Sequence, residues 1–206
     1  MKKGQIVAVA AVWLVAAAAS QAQINLDVAL SGAAVFSKST SASSSNISNQ
    51  PTKSAAVLGS IRYHFNEHHA IELDLGHTNN SQIFTVPPDT YRVKTGIFEY
   101  TAAYVFSPVT SGRWTPFLLA GAGGLGFSVD ATYIDTIQTP LGAVRQTRLA
   151  LLYGAGTDYQ VVNHISLRLQ YRGLIFRAPD FGVPSRFYTG APGHMAEPAV
   201  GVVVKF

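Results

Sequence analysis

The charged side chains that could do chemistry recur at every second position of segments whose remaining positions are apolar or small. Alternation of this kind places them together on one face of a β-strand. That face carries six acids and five bases, namely Asp27, Glu72, Asp74, Glu99, Asp158 and Glu197 with Arg62, Arg148, Arg168, Arg172 and Lys205. Groups of both signs facing one another form either an ion-pair network or a polar conduit. Which of the two forms depends on the space that the strands enclose.

A histidine-rich segment is the first candidate for a metal site. His64, His68 and His69 stand close together with Glu67 among them. The HExxH order is absent, and adjacent histidines on a strand point to opposite sides. The alternation places His64 on the charged face and the others in or beside a turn. The sequence therefore predicts no metal site.

Two further segments resemble catalytic or cofactor motifs only in part. The GAGGLG stretch at 121–126 resembles a dinucleotide loop, but no helical period follows it. The stretch from His77 to Asn80 is faintly similar to the His-x-Ser-Asn sequence of lipid A deacylases. Asn79 stands where their nucleophilic serine belongs, and an ester hydrolase needs that nucleophile. No catalytic residue and no cofactor are predicted.

Eight alternating segments must position these residues. They are 24–36, 54–65, 69–78, 98–106, 114–129, 148–159, 165–172 and 199–206. The fifth is less regular, with Phe117, Leu119, Leu125 and Phe127 on a shared face. Eight two-faced strands are typical of an all-β, antiparallel up-and-down barrel, whose interior is only as wide as its side chains. An ion-pair network is therefore favoured over a conduit.

The connections between the segments alternate between long and short. The long ones are 37–53, 79–92, 130–146 and 177–194. Outer-membrane barrels have short periplasmic turns and long extracellular loops. Aromatic residues next to the short connections predict a girdle at one bilayer interface, formed by Tyr63, Phe65, Tyr104, Phe106, Trp114 and Tyr159. A thinner girdle at the other interface would use Phe36, Phe127 and Phe176.

Composition and the N-terminus agree with a barrel in lipid. Only 13% of residues are charged, against about 25% in soluble domains. Lys2 and Lys3, an apolar run over 6–19 and a small residue at Ala22 predict a cleaved signal peptide at 1–22, followed by one barrel domain at 23–206. The absence of cysteine excludes disulfides and thiolate sites. The basic residues form no cluster, so no nucleic-acid partner is predicted.

Three stretches resemble the small eight-stranded outer-membrane barrels of the OmpA-transmembrane, OmpX and opacity-protein type. They are PFLLAGAGGLGF (116–127), YGAGTDYQVVNHISLRLQYR (153–172) and AVGVVVKF (199–206). The terminal Phe206, with Val204 and Val202 at alternate positions before it, resembles that family's barrel-assembly signal. The resemblance implies the barrel-assembly machinery as a partner, and outer-membrane lipid and lipopolysaccharide as neighbours.

The sequence thus predicts a non-catalytic integral protein of the bacterial outer membrane. It would be a closed or narrow-lumen anchor whose surface loops serve envelope integrity, adhesion or surface interaction, with a possible extracellular ligand at the four long connections. A small-solute porin is the first alternative. A soluble lipocalin-like barrel in the periplasm, with the apolar faces turned inward, is the second.

Overall fold

The computed structural model describes residues 25–42, 47–110 and 112–206. The predicted signal peptide at 1–22 lies outside these ranges. Within them, no helix has both the length and the apolar character needed to cross a bilayer.

Eight long antiparallel strands form the wall of a closed barrel. They are β1 (Leu26–Ser37), β4 (Ser54–His64), β5 (His69–Val86), β6 (Asp89–Phe106), β7 (Trp114–Ile134), β9 (Gln146–Val162), β10 (Ile165–Arg177) and β11 (Pro192–Lys205). Each pairs with its neighbour in this order, and β1 also pairs with β11. Closure means that each of these eight strands has a hydrogen-bonded neighbour on both sides, and the pairing is interrupted only by bulges between β6 and β7 and between β9 and β10. The predicted fold is confirmed.

The strands are strongly tilted, as the register shows. The row of paired residues that begins at Leu26 runs once around the barrel and returns to β1 at Phe36, ten residues further along. Strand number and this stagger together fix the diameter of a barrel. Eight strands enclose an interior that side chains alone can fill.

The outer face of the wall is an apolar belt. Large apolar side chains point outward and stay exposed from every barrel strand, for example Leu30 at 65%, Leu75 at 58% and Val200 at 62%. Small, polar and charged residues alternate with them and face the lumen. The arrangement is the reverse of a lipocalin, so the soluble alternative is wrong.

Strand β7 has four large apolar residues on its inner face, although Leu118 on its outer face is 55% exposed. Phe117, Leu119, Leu125 and Phe127 are buried in the lumen, and Phe127 therefore cannot belong to an outer girdle. Phe176 also faces inward, on the same side of β10 as Arg172. Of the three aromatics expected in the second girdle, Phe36 alone is exposed on the outer face.

The two ends of the barrel differ. We call one the short-turn end, with connections 65–68, 107–113 and 163–164, and the other the long-segment end. Much of the latter is regular structure, because β5 and β6 continue as a hairpin through the expected loop 79–92. Asn79 to Gln82 are polar on both faces, so alternation could not reveal this strand. Short strands β2 (Thr40–Ser41), β3 (Ser48–Pro51) and β8 (Ile137–Gln138) and the one-turn helix α1 (Pro184–Phe187) complete this end.

Replacing Leu169 by Arg tests the belt. Leu169 is 59% exposed near the middle of the belt, and Ile175 is 42% exposed at its edge on the same strand. We expect Leu169→Arg to lower the free energy of unfolding by about 2–4 kcal/mol and Ile175→Arg by about 0–1 kcal/mol. Equilibrium urea unfolding in lipid vesicles measures both. Equal losses would mean that this face does not meet hydrocarbon.

Candidate functional site

The half of the lumen nearer the short-turn end contains a buried cluster of two arginines and two acids. Arg168 lies 2.7 Å from both Glu72 and Asp158, and Arg62 lies 2.8 Å from Glu72 and 3.5 Å from Asp158. All four side chains are at most 3% exposed. The guanidinium carbons of Arg62 and Arg168 stand 4.3 Å and 5.2 Å from the centre of the Phe117 ring. This lower cluster is neutral when fully ionised.

The contacts of the lower cluster cross the full width of the barrel. Arg168 is on β10 and Glu72 on β5, and these strands stand four positions apart around the ring of eight. Arg62 on β4 and Asp158 on β9 also pair across the lumen, and their strands likewise stand four positions apart. These ion pairs therefore join opposite walls of the barrel across the lumen.

A second buried cluster, the upper cluster, lies closer to the long-segment end and is rich in acid. Arg172 contacts Glu99 and lies 3.4 Å from Asp74 and 3.3 Å from Glu197. Thr101 donates a hydrogen bond of 3.1 Å to Asp74 and accepts one of 3.2 Å from Arg172. The Arg172 guanidinium thus pairs with three carboxyl groups, and its removal would leave all three without a cation.

Three residues of the charged face lie outside both clusters. Arg148 was predicted to join the network, but it pairs with Asp180 at 3.4 Å near the long-segment end, because β9 carries it beyond the level of the lower cluster. Asp27 bonds to His64 at 2.8 Å at the short-turn end. Lys205 is half-exposed at the end of β11 and forms no ion pair within the described ranges.

An aromatic plug fills the lumen at the long-segment end. Phe84 stacks on Phe187 with ring centres 4.5 Å apart, and Phe181 packs edge-on against Phe84 and Phe127 at 6.2 Å. The phenylalanines are at most 1% exposed. Phe181 holds a φ of 52°, which a bulky residue rarely adopts. Burial of its ring at the centre of the plug outweighs that strain. Sequence analysis missed the plug because Phe181 and Phe187 come from an irregular segment.

The segment 178–191, which carries Phe181 and Phe187, is pinned to the start of β9. The Gln146 side chain donates to Asp180 at 2.8 Å and accepts from the N–H groups of Asp180 and Phe181 at 3.1 and 3.2 Å. Partial burial raises the pKa of the Asp180 carboxyl. The hydrogen bonds from Gln146 and the Gly182 N–H, with the Arg148 charge, more than offset this and lower that pKa below its ordinary value.

The predicted girdle residues all lie on the outer face. Tyr63, Phe65, Tyr104, Phe106 and Trp114 are exposed beside the short turns, and Tyr159 packs 4.6 Å from Trp114. Val202 and Val204 point outward, while the N–H of Phe206 donates to the Leu26 carbonyl at 2.9 Å.

A serine does stand near His77, although sequence spacing could not reveal it. Ser128 approaches from β7, on the outer wall of the barrel, and its hydroxyl donates to the Gly96 carbonyl at 3.0 Å. No hydrogen bond joins Ser128 to His77 among the described residues, and no carboxylate orients the imidazole. This pair lacks the contacts of an activated nucleophile. Within the same ranges, no group of three metal-ligating side chains is placed to hold an ion.

Replacing Arg172 by Met tests the upper cluster. Loss of this cation leaves three buried carboxyl groups unpaired, which we expect to lower the free energy of unfolding by about 3–5 kcal/mol. The matched change Arg148→Met removes a partly exposed pair and should cost about 0–1 kcal/mol. Urea unfolding in vesicles compares the two. A cost for Arg172→Met no larger than the control would show that the cluster does not stabilise the barrel.

The sequence and the fold both match known outer-membrane barrels. The family described as outer membrane protein beta-barrel domain matches residues 7–192. Among solved structures, Neisserial surface protein A (NspA) aligns with a TM-score of 0.57 at 19% identity, covering 88% of this chain and 97% of that one. OprG from Pseudomonas aeruginosa aligns with a TM-score of 0.56 at 13% identity, covering 89% and 97%. No curated protein matches the sequence.

At these identities the two structures show a shared fold only. The family match adds that such barrels are proteins of the outer membrane. An exposed apolar belt on a closed eight-stranded barrel requires lipid around it. The chain therefore belongs to the outer membrane protein beta-barrel family and is a β-barrel protein of the bacterial outer membrane.

Proposed function

We propose that this protein is a closed, non-catalytic membrane anchor that presents its long-segment end outside the cell. One observation carries the proposal: Arg62, Arg168 and Arg172 are at most 2% exposed and bridge strands across the lumen. A charge in so narrow a space is stable only when paired, and pairing across the barrel fills the path that a solute would take.

The aromatic plug supports closure independently of the charges. A conducting barrel needs water-lined space from one mouth to the other, whereas Phe84, Phe127, Phe181 and Phe187 form a buried aromatic layer above the upper cluster. The segment 178–191 would have to leave the mouth before solutes could enter. The small-solute porin remains the alternative, and nothing in the packing of the described lumen favours it.

The charge of the long-segment end supports a role in surface interaction. Beyond the belt lie eight basic residues, Lys38, Lys53, Arg92, Lys94, Arg145, Arg148, Arg177 and Arg186, and four acidic ones, Asp89, Asp130, Asp135 and Asp180. The difference, 8 − 4, is a net charge of +4. Such a surface favours anionic partners, so adhesion or envelope contacts would involve acidic polymers or lipids.

Conductance of the wild-type protein tests closure. We expect planar-bilayer recordings to show no long-lived open state, because both clusters and the plug obstruct the lumen. Arg172→Met, which breaks the upper cluster, should show more frequent brief openings than Arg148→Met, which leaves it intact. Large, long-lived openings of the wild type would favour the porin instead.

Surface labelling tests the orientation. The chain contains no cysteine, so single cysteines at Gln138 and Asn163, both exposed at opposite ends, report directly. We expect a membrane-impermeant maleimide to label Gln138→Cys in intact cells and Asn163→Cys only after the outer membrane is opened. The reverse pattern would invert the proposed topology.

We also propose that Val202, Val204 and Phe206 form the signal read by the barrel-assembly machinery. Phe206→Asp should then leave unfolded protein in the periplasm. Phe65→Asp is the matched control, since Phe65 is an exposed aromatic near the same end but not at the terminus. Heat-modifiability of the protein on gels measures folding in cells. Equal folded yields of the two variants would contradict the assignment.

A further inference from the structure

We propose that Glu99 on β6 and Glu197 on β11 share one proton inside the barrel at neutral pH, and that this proton holds the upper cluster together. The shared proton makes the cluster a lock that loosens as the pH rises. The proposal goes beyond the anchor role, because it concerns a proton bound between two side chains rather than the closure of the lumen or its orientation.

The upper cluster has more acids than its cation can neutralise. Among the described residues, Arg172 is the one cation in contact with Asp74, Glu99 and Glu197. With all three carboxyl groups ionised, three negative charges and one positive charge would leave a net charge of −2. All four side chains are at most 4% exposed, and uncompensated charge is costly in such a place. Part of the excess must therefore be removed by bound protons or a bound cation.

No other described strand brings a cation to this level of the lumen. Strand β7 places Leu125 opposite Glu99, and β9 places Gly154 opposite Arg172. The remaining charged or titratable groups of the lumen strands lie elsewhere: Arg62, Glu72, Asp158 and Arg168 in the neutral lower cluster, Arg148 with Asp180, Asp27 with His64, Lys205 at the end of β11, and His77 exposed on the outer face.

The two glutamates are close enough to share a proton directly. Their carboxyl groups lie within hydrogen-bonding reach of each other. Both residues line a gap, bounded also by Leu58, Ile97 and Met195, that has no room for a water molecule. Two carboxylates cannot hydrogen-bond to each other, because each can only accept. A direct contact between them therefore requires a proton on one of the two, as in other close pairs of acids.

Asp74 is the acid that stays ionised beside Arg172. One oxygen of Asp74 accepts hydrogen bonds from Thr101 at 3.1 Å and from Arg172 at 3.4 Å, and two donors favour the charged form of a carboxyl group. Glu197 accepts from Arg172 alone among the described residues, at 3.3 Å. The proton therefore belongs to the pair of glutamates rather than to Asp74.

Loss of the shared proton would loosen the upper cluster. Two ionised carboxylates in contact repel each other, and Arg172 cannot neutralise both of them together with Asp74. Glutamates of the unfolded chain are ionised above about pH 5, so the folded state holds a proton that the unfolded state has released. Raising the pH then favours unfolding, by up to about tenfold in the equilibrium constant per pH unit until the pair itself ionises.

Infrared spectroscopy of the detergent-folded protein tests the proposal, because a protonated carboxyl group has a C=O absorption that carboxylates lack. We expect the wild type to show this absorption at neutral pH. Glu197→Gln should lose it, since the glutamine amide can donate to Glu99 in place of the proton, and Glu99→Gln should lose it by the same exchange. Glu67→Gln changes an exposed acid of a short turn and should keep the absorption. Absence of the absorption from the wild type, or its persistence in both glutamine variants of the pair, would overturn the proposal.

The pH dependence of unfolding gives a second readout of the same proton. Between about pH 5 and about pH 8, urea titrations of the wild type and of Glu67→Gln should give unfolding constants that rise with pH. The rise should be smaller in Glu197→Gln, by up to about tenfold per pH unit. Equal rises in the wild type and Glu197→Gln would contradict the shared proton. Neither readout depends on closure or topology, so their failure would leave the anchor role standing, and an open or inverted barrel would leave the proton assignment standing.

Discussion

Pairing of charges inside a narrow lumen is the constraint on which the rest of the structure depends. Eight strands enclose too little space for ions to remain hydrated, so each buried guanidinium must contact carboxylates from other strands. Arg168 meets Glu72 on the opposite wall, and Arg172 meets acids on three different strands. These contacts fix the wall strands relative to one another across the barrel. In the proposed closed anchor, they also occupy the space through which solutes would pass.

The outside of the barrel obeys the opposite constraint. In hydrocarbon no apolar side chain needs to be hidden and no backbone group can be left unpaired, so Leu30, Leu75 and Val200 are exposed and the sheet is closed on itself. Beyond the belt, bases appear on the outer face at Lys38, Lys53, Lys94 and Arg177. At these four positions the wall changes from an apolar to a basic surface over about two residues of strand.

Alternation in the sequence predicted the closed barrel and the inward acids and arginines because a period of two follows directly from strand geometry. The prediction from alternation failed on strands whose outer and inner faces do not differ clearly in polarity. Between Leu118 and Ser128 the outer face of β7 carries only alanine and glycine, so its phenylalanines appeared to belong to the belt, and β5 is polar on both faces from Asn79 to Gln82. The plug could not be predicted from alternation, because Phe181 and Phe187 enter the lumen from a segment without regular pattern. Arg148 faces the lumen like the residues of the two clusters, but it lies closer to the long-segment end. Its position along the barrel axis depends on the strand tilt, which alternation does not reveal.

Water access to the buried arginines tests the sealed lumen most directly. Hydrogen exchange of the guanidinium Nε–H groups can be followed by NMR in the lipid-reconstituted protein, with exposed Arg177 as an internal standard. A sealed lumen predicts that the Nε–H groups of Arg62 and Arg168, which donate to Glu72 and Asp158, exchange far more slowly than that of Arg177. Exchange of Arg62 and Arg168 as fast as Arg177 would mean that water passes through the barrel and that the lumen is not closed.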